Sequence, residues 1–192
     1  AWAWGYNNQG ILGQNNRTAY SSPTQIPGTT WVDIDGSFHM IASKTDGTLW
    51  SWGYGGYGEI GQNNKTNYSS PRQVGSATDW SSVASFHSFH NGAIKTDGTL
   101  WIWGKFDATG QNNATDYSSP IQVPGGDTTW SKISGATKRA FAIKTDGTLW
   151  SWGNNGNGGL GHNDTTNIQS PKQVPGTNWS DVVGRAYGHT LA

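Results

Sequence analysis

Four side chains able to ligate a metal, hydrogen-bond or carry charge stand at one recurring position of the sequence: His39, His90, Arg139 and His189. Imidazoles at a fixed spacing can hold a transition metal, and a ring of imidazolium and guanidinium groups can hold an anion. If the segments that carry them close around an axis, the four form a ring at one height. Arginine does not ligate metals, however, and such a ring spaces its members widely, so neither a metal nor a cofactor is expected. The alternative is a structural histidine, buried and bonded to main chain. His87 and His162 fall outside this phase.

Aromatic and basic side chains on turns form a second set with chemical potential. Gly36-Ser37-Phe38, Ser85 through Phe89, Gly135 through Lys138 and Gly184 through Gly188 occupy equivalent turns and differ strongly from one another. One unit also replaces a glycine-rich stretch by Lys105-Phe106-Asp107-Ala108-Thr109. Loops on a rigid scaffold concentrate binding residues, and aromatics and arginine anchor interfaces. The candidate binding residues are therefore Tyr6, Phe38, Tyr57, Phe86, His87, Phe89, Lys105, Phe106, Lys138, Arg185 and Tyr187. Drift in unconstrained turns would produce the same variation.

Other chemistry is excluded or explained more simply. No nucleophile elbow, phosphate loop, His-Glu-x-x-His or paired-carboxylate constellation occurs, so no enzyme is expected. Cysteine is absent, which removes disulfides and thiolate chemistry together. Gln14-Asn15-Asn16 and its copies at Gln62 and Gln111 invite a sugar-binding reading, but Asn stabilises turns and tolerates left-handed backbone. Asp33-Ile34-Asp35-Gly36 lacks the remaining ligands of a calcium loop. Asp46, Asp97 and Asp146 read as turn formers.

What positions these residues is a repeat. Trp2-Ala3-Trp4-Gly5, Trp50-Ser51-Trp52-Gly53, Trp101-Ile102-Trp103-Gly104 and Trp150-Ser151-Trp152-Gly153 open successive units with periods of 48, 51 and 49 residues. A third Trp per unit, at positions 31, 80, 130 and 179, accounts for all 12. Lys44-Thr45-Asp46-Gly47-Thr48-Leu49 returns unchanged at Lys95 and at Lys144, and Tyr20-Ser21-Ser22-Pro23 returns at Tyr68 and Tyr117. A period near fifty with short strands means a propeller or a solenoid. Trp50 and Trp52 share one strand face, and Asp-Gly makes a tight hairpin between strands such as His90–Lys95 and Leu100–Trp103. Pro71–Val74, with proline at its first position, and Trp80–Val83 complete four strands. The fixed phase of the Trp pairs points to packing between sheets. No segment carries a helical stripe, so the expected class is all-β, with one domain over 1–192 and repeats 2–49, 50–100, 101–149 and 150–192.

Composition agrees. Hydrophobic residues are only 33%, yet aromatics reach 12% and glycine 28 positions, which fits a Trp-and-Gly fold and not a disordered chain. Twelve basic and twelve acidic residues cancel, which argues against the basic surface that nucleic acid requires. No apolar run is long enough for a membrane span, and no leader is visible at the start.

On Gly53 to Gly61 (Gly-Tyr-Gly-Gly-Tyr-Gly-Glu-Ile-Gly), Ser70-Pro71, Trp80 and His90 through Gly104, the sequence resembles the regulator-of-chromosome-condensation (RCC1) repeat family, in the form common in bacterial and phage proteins. The resemblance covers the whole chain. It implies a β-propeller of four-stranded blades, usually seven, with the recurring histidines bonded to a neighbouring blade's backbone. The family also includes bacterial propellers that cover β-lactamases with an aromatic-rich face. The exchange-factor and chromatin role of its eukaryotic members is not expected, because the charge is neutral.

The first strand lacks a preceding Lys-Thr-Asp-Gly, and the last unit stops at Ala192 where that turn should begin. Three arrangements follow: a closed four-blade ring, two chains sharing eight units, or a stretch of a longer polypeptide with more blades, which the lack of an initiating Met favours. The expected function is a non-enzymatic binding scaffold holding a protein or glycan on its variable face, displayed extracellularly or on a cell or virion surface. The alternative is a purely structural or assembly module, with open blade edges able to self-associate.

Overall fold

The computed structural model describes residues 1–87, 89–184 and 190–192. Strands β1 (Trp2–Gly5) and β2 (Tyr20–Gln25) form a two-stranded sheet. Three four-stranded antiparallel sheets follow. The first contains β3 (Trp31–Gly36), β4 (His39–Lys44), β5 (Leu49–Gly53) and β6 (Tyr68–Gln73). The second contains β7 (Trp80–Phe86), β8 (His90–Lys95), β9 (Leu100–Gly104) and β10 (Tyr117–Gln122). The third contains β11 (Trp130–Ala136), β12 (Arg139–Lys144), β13 (Leu149–Gly153) and β14 (Ile168–Gln173). Strands β15 (Val183–Gly184) and β16 (Thr190–Leu191) form a second two-stranded sheet. The only helical element among the described residues is a 3-10 turn at Phe106–Ala108.

Each sheet takes its first two strands from one sequence repeat and its last two from the next, so consecutive repeats are laced through shared sheets. First strands pack side by side along the molecule, β3 on β7, β7 on β11 and β11 on β15. Their exposed edges are partly covered by the preceding sheet: Asp33 accepts from the Val83 N–H (3.2 Å) and Asp35 from the Ser85 N–H (2.9 Å). Among the described strands β1 pairs with β2 alone and β16 with β15 alone. Among the described residues the two-stranded sheets at the two ends are not paired with each other.

The Lys-Thr-Asp-Gly-Thr-Leu-Trp motif builds one hairpin three times. Asp97 Oδ1 accepts from the Thr99 N–H (2.9 Å) and hydroxyl (2.7 Å), and Thr99 Oγ1 accepts from the Trp101 indole (2.9 Å). Those hydroxyl and amide donors hold the Asp97 carboxyl below its ordinary value. Gly98 takes φ +78°, and a side chain there would strike the Thr128 carbonyl of the link to the next sheet at 1.9 Å. Lys95 lies 4.9 Å and 5.0 Å above the Trp80 and Trp101 rings, and Lys44 and Lys144 repeat that cation–π pairing.

Hydrophobic clusters lie between successive sheets. Ile41, Leu49 and Val74 meet Trp80, Val83, Ala93 and Trp103 at one seam; Ala84, Phe86, Leu100 and Ile102 meet Trp130, Ala142 and Trp152 at the next. Trp52, Trp103 and Trp152 are completely buried, and each donates its indole N–H to a loop carbonyl of the preceding unit: Ile11, Glu59 and Ala108 at 2.8–2.9 Å. Trp4 departs from this packing and is 58% exposed, because among the described residues no sheet covers that face of β1. The proline position also differs from the sequence reading. Pro71 is the fourth residue of β6, where the register with β5 shifts between Ser51 and Gly53. An edge strand with a bulge dispenses with the donor that proline lacks.

Candidate functional site

The turn between the first two strands of a sheet and the loop after Trp-x-Trp-Gly are fastened by one recurring backbone bond. Tyr54 N–H donates to Phe38 O (3.0 Å), Lys105 N–H to Phe89 O (2.9 Å) and Asn154 N–H to Lys138 O (2.8 Å). Both variable segments thus occupy one face, and equivalent residues of adjacent sheets become neighbours. Phe38 and Phe89 stand just before His39 and His90, and their rings stack with centroids 6.5 Å apart. Tyr54 lies 5.9 Å and Tyr57 4.7 Å from Phe89, and the two tyrosines are 6.5 Å apart. Lys105 caps the group, with Nζ 5.0 Å from the Tyr57 centroid and 5.7 Å from that of Phe89. Gln9, Phe38, Tyr54 and Phe89 line a depression of about 250 Å³. Phe38 is 55% exposed, and Tyr54, Tyr57 and Phe89 are half-buried. Tyr54 and Gln9 were missed by sequence reasoning. Tyr54 carried a signal, since it holds the place of Tyr6 and Lys105 in their units.

The other candidates scatter. Phe86 is a correction: it is completely buried at the seam between the second and third sheets and not on the variable face. Its ring fills the space left by Gly135, where a Cβ would lie 2.0 Å from the Phe86 ring. An apolar ring beside a vacant Cβ position is buried in preference to being displayed. Tyr6 is exposed and makes no aromatic pair among the described residues. His87 is exposed; its carbonyl accepts from the Ser37 hydroxyl (2.9 Å). Phe106 and Lys138 line a separate groove. Arg185, Tyr187 and His189 lie outside the described residues.

The recurring polar position is buried but heterogeneous. His39 Nε2 stands 2.9 Å from Asn91 Oδ1 and 3.2 Å from His90 O, both in the next sheet. Burial, opposed by those two bonds, lowers its pKa to about 4 and keeps it neutral. His90 instead faces Asp107, Nε2 to Oδ1 at 2.7 Å. Burial alone would raise the Asp107 carboxyl, but His90 and Lys105 bring it below its ordinary value. Arg139 donates from Nε to Asn154 O (2.7 Å) within its own sheet's loop. One sequence position therefore serves three different local needs. Among the described residues no three His, Asp or Glu side chains cluster as metal ligands.

Beneath the aromatic group lies Glu59, which sequence reasoning did not single out. It is completely buried; Oε2 accepts from the Tyr57 N–H (2.7 Å), and Oε1 has no partner among the described residues. Its carbonyl accepts from Asn91 Nδ2 (2.7 Å) and from the Trp103 indole. Burial pushes the carboxyl up to about 7 against the pull of the Tyr57 N–H and Lys65.

A fan of four-stranded sheets joined by tryptophan seams, with variable loops on one face, defines a β-propeller of the repeat-scaffold class. The chain belongs to the regulator of chromosome condensation (RCC1) repeat family, whose repeat matches residues 1–39, 46–94 and 146–192. The stretch left between the last two contains the shortened loop at Lys105. No curated protein matches the sequence. Among solved structures, human WBSCR16 superposes with a TM-score of 0.84 at 22% identity, over 96% of this chain and 51% of that one. A chain of the yeast RCC1 (Prp20) complex with Kap60 gives 0.79 at 21% identity, over 96% and 48%. Prp20p of Saccharomyces cerevisiae, solved in a study of its binding to Gsp1p and histones, gives 0.78 at 18% identity, over 100% and 52%. The chain thus spans about half the length of the structures it resembles. No helix among the described residues is long and apolar enough to cross a membrane.

Proposed function

We propose that the chain is a non-catalytic scaffold that captures a protein partner on the face formed by Phe38, Tyr54, Tyr57 and Phe89. The observation that carries this reading is the convergence of four aromatic rings from two successive repeat units around one depression, capped by Lys105. Aromatic side chains with a half-buried base and an exposed rim are the anchors of protein interfaces. The relatives support the class: yeast RCC1 is seen bound to Kap60 and studied with Gsp1p and histones. Neutral net charge favours a protein over nucleic acid. The reading does not depend on the compartment in which the protein works.

The test is a paired substitution, Phe38→Ala with Phe89→Ala, in quantitative capture from the native source. Loss of the captured protein by about thirtyfold or more, with the circular-dichroism spectrum of the folded chain retained, is the expected result. Equal capture by the double variant would reject the site. An architectural role is favoured instead if the double variant alters self-association, measured by sedimentation, and no other protein is held.

A further inference from the structure

The seams between sheets are not equivalent on the variable side. In the first two, a loop glycine lies directly against the outer strand of the next sheet: a Cβ on Gly10 would stand 2.5 Å from Ser69 Cα, and one on Gly58 2.5 Å from Ser118 Cα. The third unit's loop, Gly104 to Gly110, has two residues fewer than Gly53 to Gly61 and no glycine at that place. Gln169 occupies the position of Ser69 and Ser118. The backbone bond that closes each seam lengthens in step. Asn15 N–H to Ser69 O and Asn63 N–H to Ser118 O are both 2.7 Å, whereas Asn112 N–H to Gln169 O is 3.2 Å. The deletion leaves a groove of about 210 Å³, lined among others by Phe106, Asp107, Lys138, Asn154, Asn167 and Gln169.

We infer that this groove binds a carbohydrate, holding a single pyranose ring against Phe106. Phe106 is 40% exposed as a residue, and its ring offers an apolar face for the C–H face of a sugar. Two carboxamides of the lining, from Asn154 and Gln169, each present a donor pair and an acceptor, and Asn167 adds its donor pair, which matches vicinal hydroxyls that need both. The Asn154 and Gln169 side chains make no hydrogen bond among the described residues, and Asn167 is oriented by accepting the Asn155 N–H (2.8 Å). Asp107, which faces His90 (2.7 Å) and Lys105 (3.7 Å), also places a carboxylate in the groove beside Lys138, and a carboxylate disfavours a phosphate or another strong anion. The volume falls below that of drug-sized sites and suits one ring, not a peptide. Lys138 is held in left-handed backbone, φ +62°, an unusual conformation for a residue with a long side chain. This site is separate from the aromatic cluster and stands or falls independently of protein capture.

The experiment titrates the isotope-labelled chain with methyl β-galactoside, methyl β-glucoside and methyl α-mannoside while following backbone amide shifts. At least one glycoside should perturb Phe106, Asn154 and Gln169 with a Kd on the order of 1–10 mM, as expected for one ring. Phe106→Ala should weaken it by about tenfold or more with the melting temperature unchanged, while Phe89→Ala should leave it intact. Three results overturn the proposal: no perturbation by any of the three at about 50 mM, perturbation centred on Tyr54 and Phe89, or undiminished binding by Phe106→Ala.

Discussion

At the scale of single residues, chemically similar side chains three positions apart have opposite fates. Phe86 fills a seam against Gly135, whereas Phe89 belongs to a half-buried surface cluster. Phe86→Ala should therefore cost about 3–5 kcal/mol in denaturant unfolding, and Phe89→Ala about 1 kcal/mol or less. Two buried ionisable groups set opposing pH responses. Glu59 rises from 4.5 to about 7, so its stabilising contribution is complete below pH 4.5 and is lost as pH climbs through about 7. His39 falls from 6.5 to about 4, so its contribution is present above pH 6.5 and disappears as pH drops through about 4. Each shift corresponds to about 3 kcal/mol at most, and in the wild type the two largely offset one another between pH 4.5 and 6.5. Glu59→Gln should remove the alkaline loss and expose the acid loss; His39→Gln should do the reverse. Unfolding curves measured from pH 4 to pH 8, about one unit apart, separate the two.

At the scale of elements, the repeated hairpin is constrained by space as well as by conformation. Gly98 and Gly75 both have positive φ, +78° and +61°, but only Gly98 faces a carbonyl at 1.9 Å, and nothing lies within 4 Å of Gly75. Gly75→Ala should cost about 1 kcal/mol, the conformational penalty alone. Gly98→Ala should exceed about 2 kcal/mol, because the link at Thr128 must move. Equal costs for both, measured by denaturant midpoints, would show that the close approach is relieved without effort.

At the scale of the molecule, sheets that contact only their neighbours should unfold from the ends. The β1 strand pairs on one side and exposes Trp2 and Trp4, while β8 and β12 are paired on both sides and buried. Amides of β1 should exchange with solvent orders of magnitude faster than those of β8. Protection of β1 that grows with protein concentration would instead mean that a second copy covers the open edge. Partner capture belongs to this scale too, since its aromatic face exists only where adjacent sheets bring Phe38 beside Phe89.

The sequence by itself determined the repeat, the all-β class, the hairpins and the family, because each is written in local spacing: two tryptophans on a strand face, Asp-Gly at a turn, a period near fifty. It also placed the variable loops on one side, since strand alternation alone sorts them. Only the tertiary structure decided which of those loop residues meet. Phe86 is buried because a glycine of the next sheet stands opposite, Tyr54 joins the cluster because Phe38 and Phe89 approach it, and Glu59 is buried beneath with only one of its two carboxylate oxygens bonded among the described residues. Those relations join residues tens of positions apart, and their distances follow from how sheets pack, which no spacing along a single repeat encodes.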